Sequence, residues 1–257
     1  MTPPQFRSAL ITGASSGLGE ALALAYAAPG VHLALSGRDA ARLEAVAARC
    51  RALGAEAWGA VVDVADPAAM AAWITEAEAR APLDLIIANA GISAGTAGSR
   101  DDGDLAKSLA IIDVNVKGVL NTVLPALPAL QARRRGHIAL MSSLAGFLGL
   151  GAAPAYCASK AAVRVLGEGL HNRLAADGIG VSVICPGFVK SRITAQNRFA
   201  MPLLMEADAA ARRIRHGIEH NKFLICFPLI LRFSVLILSL MNRTLLNAIT
   251  GFIPRKE

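Results

Sequence analysis

Seven short apolar runs separated by longer alanine-rich stretches constrain this chain more than any other feature. RSALIT (7–12), VHLALS (31–36), AWGAVVD (57–63), LDLIIA (83–88), GHIALMS (136–142), GVSVIC (180–185) and KFLICF (222–227) have the length and apolar content of buried strands, and helices fit the gaps. Parallel neighbours can be joined only by a crossover, so this alternation predicts a parallel sheet with helices on both faces, an α/β fold. No linker rich in Pro, Gly or Ser divides the 257 residues, so one domain is expected over 1–227, with 228–257 as an apolar C-terminal extension.

Charge and cysteine usage narrow the function classes. Residues 1–189 carry 15 Lys/Arg and 15 Asp/Glu, whereas 190–257 carry 11 against 4, so the whole +7 excess lies in the last quarter. Basic residues beside apolar ones suit an anionic membrane surface better than nucleic acid, whose readers interleave polar and aromatic side chains; a solvated basic face is the plainer reading. Cys50, Cys157, Cys185 and Cys226 lie far apart without CxxC spacing, which predicts reduced, buried thiols rather than zinc ligands or a disulfide framework. The start, MTPPQFRSALITG, has no charged segment followed by a long apolar run, so a cytoplasmic location is expected.

The first run passes straight into TGASSGLG, Thr12 to Gly19, where a helix begins. Glycines 13, 17 and 19 allow a tight turn and close backbone approach to a pyrophosphate, which then sits on the positive N-terminal end of the helix. The spacing is GxxxGxG rather than GxGxxG.

With these motifs in place the chain resembles the short-chain dehydrogenase/reductase family over roughly residues 7–227, and the resemblance implies a Rossmann-type doubly wound sheet of about seven strands. It assigns nicotinamide-dinucleotide contacts to the turn (Thr12, Gly13, Ser15, Ser16, Gly17, Leu18, Gly19), to Asp63 and Val64 near the adenine, and to Asn89, Ala90 and Gly91 after the fourth strand. Beyond the sixth strand it assigns Pro186, Gly187, Val189 and Ser191. At the end of the second strand the chain reads SGRD. Gly37 stands where an NAD-preferring member carries an acid, and Arg38 is suited to a 2′-phosphate, so NADP(H) is expected over NAD(H). Asp39 also reads as the N-cap of the next helix, which would leave Arg38 a surface charge.

AYCASKAAV (155–163) places Tyr156 and Lys160 four apart on one helix face. A tyrosine working as an acid or base near neutrality needs its pKa lowered by roughly three units, and a neighbouring ammonium can supply much of that. The resemblance completes a tetrad with Ser143 and Asn115, whose role is to hold a water for proton relay to Lys160, and it gives Tyr156 and Lys160 cofactor contacts as well. Ser142 competes with Ser143; adjacent extended residues face opposite ways, and the resemblance favours Ser143. His216 and His220 are four apart but lack a third ligand, so no metal is expected, and Arg133, Arg134 and Arg135 read as a solvated loop.

By resemblance, residues 191–220 form the substrate lid. Phe199, Met201, Leu203, Leu204 and Met205 give it adaptable apolar surface suited to a lipophilic carbonyl or alcohol, or else cover the core or a subunit interface. FLICFPLILRFSVLILSL (223–240) splits at Pro228 into a last strand and a helix from Leu229 to Leu240. That helix rises about 18 Å, short of the roughly 30 Å hydrocarbon core, so it does not span. At 100° per residue Arg232, Ser239, Arg243, Asn247 and Thr250 share a narrow polar face, with apolar residues elsewhere. Such a helix lies on a membrane or covers a partner subunit. A homodimer or homotetramer through the helices carrying Asn115 and Tyr156 is expected by resemblance. A catalytically silent nucleotide-binding scaffold and a soluble reductase with an oligomerising C-terminal helix are the alternatives.

Overall fold

The computed structural model describes residues 6–93, 105–151, 153–195 and 200–240. Strands β1 (Ser8–Ile11), β2 (His32–Gly37), β3 (Glu56–Val61), β4 (Leu85–Ala88), β5 (Gly136–Met141), β6 (Ile179–Pro186) and β7 (Leu224–Phe227) fall within two residues of the expected runs. They form a wholly parallel sheet in the order β3-β2-β1-β4-β5-β6-β7. The order reverses between β1 and β4, and a crevice opens there at the carboxyl ends of the strands.

Alternation along each strand feeds two separate cores. Ala9 and Ile11 of β1 pack with Leu33 and Leu35 against α1 (Gly17–Tyr26), α2 (Ala40–Ala52) and α9 (Ala207–Glu219). Leu10 between them points the other way, with Ile86 and Leu140, onto α3 (Pro67–Arg80) and α7 (Pro154–Leu174). The second layer also holds a continuous helical stretch from Leu105 to Arg133, made of α4 (Leu105–Ile112), a π-helical turn (Asp113–Lys117), α5 (Gly118–Val123), a 3-10 turn and α6 (Leu127–Arg133). Among the described residues this is the one helix long and apolar enough to cross a membrane, yet its Val119, Val123, Leu127 and Leu130 belong to the core.

Local signals fix the helix starts. Asp66 caps α3 by accepting from the Ala68 and Ala69 N–H groups at 3.0 Å, with Pro67 in the first turn. Asp39 caps α2, accepting from the Arg42 N–H at 3.0 Å, so its capping role is real.

Two expectations change, those for the lid and for the last helix. The segment assigned to the lid divides: α8 (Arg192–Ala195) lines the crevice, Met205 pairs with Val189 in an isolated parallel bridge, and α9 buries Ala210, Ala211, Ile214 and Ile218 in the first core. Phe199 lies outside the described residues. Arg133, Arg134 and Arg135 are exposed, as expected, and each also has a partner: Arg133 pairs with Glu78, Arg134 donates to the Ala176 carbonyl at 2.7 Å, and Arg135 reaches Asp84 at 3.5 Å. Helix α10 (Leu229–Leu240) turns Leu231 and Val235 to the body, and Arg232 with them, half-buried near Cys226. Its outward side carries Leu229, Ile230, Phe233, Leu236, Ile237 and Leu240. Arg243, Asn247 and Thr250 lie outside the described residues.

Candidate active site

The crevice is floored by the β1–α1 turn. Gly13 and Gly17 adopt positive φ (67° and 60°). A Cβ on Gly19 would stand 2.2 Å from the Gly13 carbonyl oxygen, so helix and turn touch backbone to backbone. Ser16 caps α1 without a side-chain bond, which leaves the first-turn N–H groups of Gly17, Leu18 and Gly19 directed at the crevice they line. Ser15, Asn89, Ala90, Gly91, Asp63, Val64, Pro186, Gly187, Val189 and Ser191 line it as well.

Two assigned residues act from behind. Thr12 is buried and absent from the lining; its hydroxyl accepts from the Asn89 N–H at 3.0 Å and the Ala90 N–H at 3.1 Å. Asn89 returns its amide to the Thr12 carbonyl at 2.9 Å, and these bonds hold the ends of β1 and β4 in register across the switch point. Asn115 sits fully buried in the π-helical turn. Its side chain accepts from the Ile92 N–H at 2.8 Å and donates to the Ile92 carbonyl at 2.9 Å and Ser159 Oγ at 3.0 Å. Its amide is therefore used in positioning the loop after β4 against α7.

The β2 end supplies a second test of what the crevice holds. Ser36 lines it with a buried hydroxyl that has no hydrogen-bond partner, a residue the sequence reading missed. A Cβ on Gly37 would lie 2.9 Å from both Cβ and Oγ of Ser15, so an acid cannot enter there unless Ser15 moves. Arg38 is exposed at the rim without an ion-pair partner among the described residues, and Arg42, also lining the crevice, pairs with Asp39 at 2.8 Å. Orphan N–H groups, an orphan hydroxyl and free guanidinium charge fit a phosphorylated dinucleotide.

At the far end, Tyr156 and Lys160 project from one face of α7 into the crevice. Lys160 is buried, donates to the Met141 carbonyl at 2.9 Å and stands 5.7 Å from the Tyr156 ring centroid. Burial lowers its pKa to about 8. Burial raises the Tyr156 phenol above its ordinary value, opposed by a hydrogen bond with Ser143. The expected depression of Tyr156 by the ammonium is thus not present, because Lys160 is directed at a backbone carbonyl. Ser143, at the N-cap of the 3-10 turn Leu144–Phe147, accepts from the Ala145 N–H at 3.1 Å. Both serines lie past the end of β5: Ser142 lines the crevice, with its Oγ donating to the Lys160 carbonyl at 2.7 Å, whereas Ser143 is absent from the lining and hydrogen-bonds the phenol. Ser191 caps α8 in a reciprocal pair with Thr194: the Ser191 N–H donates to the Thr194 hydroxyl at 2.9 Å, and the Thr194 N–H donates to the Ser191 hydroxyl at 3.3 Å. His220 contacts the His216 carbonyl at 2.7 Å at the end of α9, away from the crevice lining.

The family model for short chain dehydrogenases matches residues 7–201. The chain belongs to this family. An oxidoreductase of Myxococcus xanthus (strain DK1622) is 40% identical over 229 residues, covering 89% of this chain and 90% of that one. Among solved structures, a short-chain dehydrogenase/reductase of Burkholderia phymatum in complex with NAD superposes with TM-score 0.81 at 28% identity, covering 91% and 93% of the two chains. A short-chain dehydrogenase of Sphingobium yanoikuyae in complex with NADPH gives 0.80 at 26% identity, covering 97% of each. The protein is accordingly an oxidoreductase of this family, acting between CH–OH and C=O groups with a nicotinamide dinucleotide.

Proposed function

We propose that this oxidoreductase uses NADP(H) to interconvert a carbonyl and a secondary alcohol on a lipophilic substrate, with Tyr156 as the proton-transfer group. The observation that carries the reading is the placement of Tyr156 and Lys160 at one end of a crevice, with Ser143 hydrogen-bonded to the phenol from behind the lining, while the other end offers Gly37 and Arg38. When bound, the nicotinamide exchanges a hydride with the substrate carbon. Tyr156, protonated at neutral pH as phenols are, donates to the carbonyl oxygen in reduction, and Ser143 hydrogen-bonds the same oxygen. Lys160, whose pKa burial lowers to about 8, stands beside the phenol as a cation, and Asn115 fixes the loop after β4.

Preference for the 2′-phosphorylated cofactor is supported by the rim arginines and by the closed space at Gly37. A lipophilic substrate is supported by Leu203 and Leu204, exposed between α8 and α9, and by the contact of α10 with the crevice wall, where a Cβ on Gly187 would lie 3.1 Å from Leu231. The outward apolar side of α10 suits seating on the cytoplasmic face of a membrane, and exposed Leu105, Leu109 and Val165 on α4 and α7 suit the expected subunit pairing.

The test is cofactor oxidation with NADPH and NADH over a panel of keto lipids, steroid ketones and short ketones. Turnover with NADPH that rises with substrate hydrophobicity is expected, and Tyr156→Phe should lose about 10²–10⁴-fold in kcat with NADPH binding retained. Cofactor binding without turnover on any carbonyl would favour the scaffold reading instead.

A further inference from the structure

The four cysteines are all free and buried, but two of them are neighbours. Cys185 of β6 and Cys226 of β7 are register partners in the parallel sheet, so their side chains leave the same face side by side. Adjacent strands lie about 4.8 Å apart, within the roughly 4.4–6.8 Å Cα window of a disulfide. The two thiols lie close enough to shift one another's pKa and share a small cluster with Leu144 and Val183. Leu231 and Val235 of α10 roof it, and Cys226 lies nearer its edge, with 9% exposure against none for Cys185.

The surroundings separate the two sulfurs. The neighbouring Cys185 thiol and the guanidinium groups of Arg232 and Arg164 hold Cys226 below the ordinary thiol range against its burial. Cys185 is pushed up by its neighbour and by burial. Cys50, on α2, is pushed up to about 11 by burial, and Cys157, on α7, is also raised by burial; neither belongs to this cluster. Oxidation of a thiol follows its thiolate character and its exposure, and Cys226 exceeds Cys185 in both.

We propose that Cys185 and Cys226 are a reversible redox pair, closed by hydroperoxides into a disulfide between β6 and β7 beneath α10. The Cys226 thiolate attacks a peroxide oxygen; the S–O bond forms, the O–O bond breaks, and the departing alkoxide or hydroxide takes up a proton. Cys185 then displaces the sulfenic hydroxyl, forming the S–S bond and releasing water with the proton of its own thiol. Two electrons pass from the two thiols to one peroxide. The bond ties together the residues that precede the Pro186–Gly187 turn of the crevice and the Phe227–Pro228 junction of α10.

The experiment treats the full-length wild-type chain with hydrogen peroxide, then alkylates the remaining thiols under denaturing conditions and maps the peptides. Expected is the loss of two of the four thiols, a single intramolecular link between the Cys185 and Cys226 peptides, and full recovery with dithiothreitol. Cys226→Ser should keep its remaining thiols at the same dose, and Cys50→Ser should form the same link as wild type. Four alkylatable thiols after treatment, or a product containing Cys50 or Cys157, or only intermolecular links, would overturn the proposal. The mapping on wild-type protein decides it even if a variant fails to fold.

Discussion

Helices α9 and α10 flank the same edge strand, β7, and solve opposite problems. α9 turns Ala210, Ala211, Ile214 and Ile218 into the core and holds Arg212 and Arg213 in solvent. α10 presents six large apolar side chains outward and turns Arg232 toward the body. Periodicity identifies an amphipathic helix in either case, but only the chain's exit direction from β7 determines which side meets the protein. α9 is therefore part of the fold, and α10 carries a surface whose burial must come from elsewhere.

This contrast can be broken by experiment. The largest effect is expected at Ile214→Ala, which removes a fully buried side chain and should cost about 2–5 kcal/mol in denaturant unfolding. Phe233→Ala, on the outward side of α10, should stay within about 0.5 kcal/mol of wild type. Equal losses would mean that the two helices are not different in kind. Next in size is association: Phe233→Glu combined with Ile237→Glu should lower co-sedimentation with anionic vesicles at least about 10-fold, since each apolar side chain withdrawn from lipid forfeits about 1.5–3 kcal/mol. Turnover on a water-soluble ketone should be unchanged, and equally weak vesicle binding by both proteins would remove the membrane reading of α10.

The last effect, smaller per pH unit than the others, concerns how α9 is moored. His137 of β5 is buried and contacts Ser182 Oγ at 2.8 Å, and Ser182 donates to the Lys222 carbonyl at 2.7 Å, in the turn between α9 and β7. Burial lowers the His137 pKa from 6.5 to about 4, so the unfolded chain binds a proton in that window and the folded chain does not. Stability should fall as pH drops from 6.5 toward 4, by up to about 1.4 kcal/mol per unit. Urea unfolding across this range should show the slope, and His137→Phe should flatten it.

The strands were legible because a sheet covered on both faces demands uninterrupted apolar runs, and the glycine turn because close backbone contact demands the missing Cβ. Asp39 is legible as the N-cap of α2, while its grip on Arg42 at the crevice appears only in the folded structure. What was hidden depended on partners remote in sequence. Thr12 and Asn115 carry motif positions, yet their bonds to Asn89 and Ile92 make them braces behind the wall, and no spacing reveals that. Ser36 gave no signal because a serine in a strand is unremarkable until its hydroxyl is found without a partner. The Tyr156 pKa ran against expectation because the direction of a lysine's donor is a property of packing.

The space shared by Gly37 and Ser15 carries a consequence for how coenzyme choice can drift. A side chain at position 37 collides with Cβ of Ser15, an atom no rotamer can withdraw. An aspartate arriving first at 37 meets that obstruction, whereas Ser15→Gly clears the ground for it. A lineage placing an acid at position 37 must therefore take the two substitutions in order, with the turn changing before the strand.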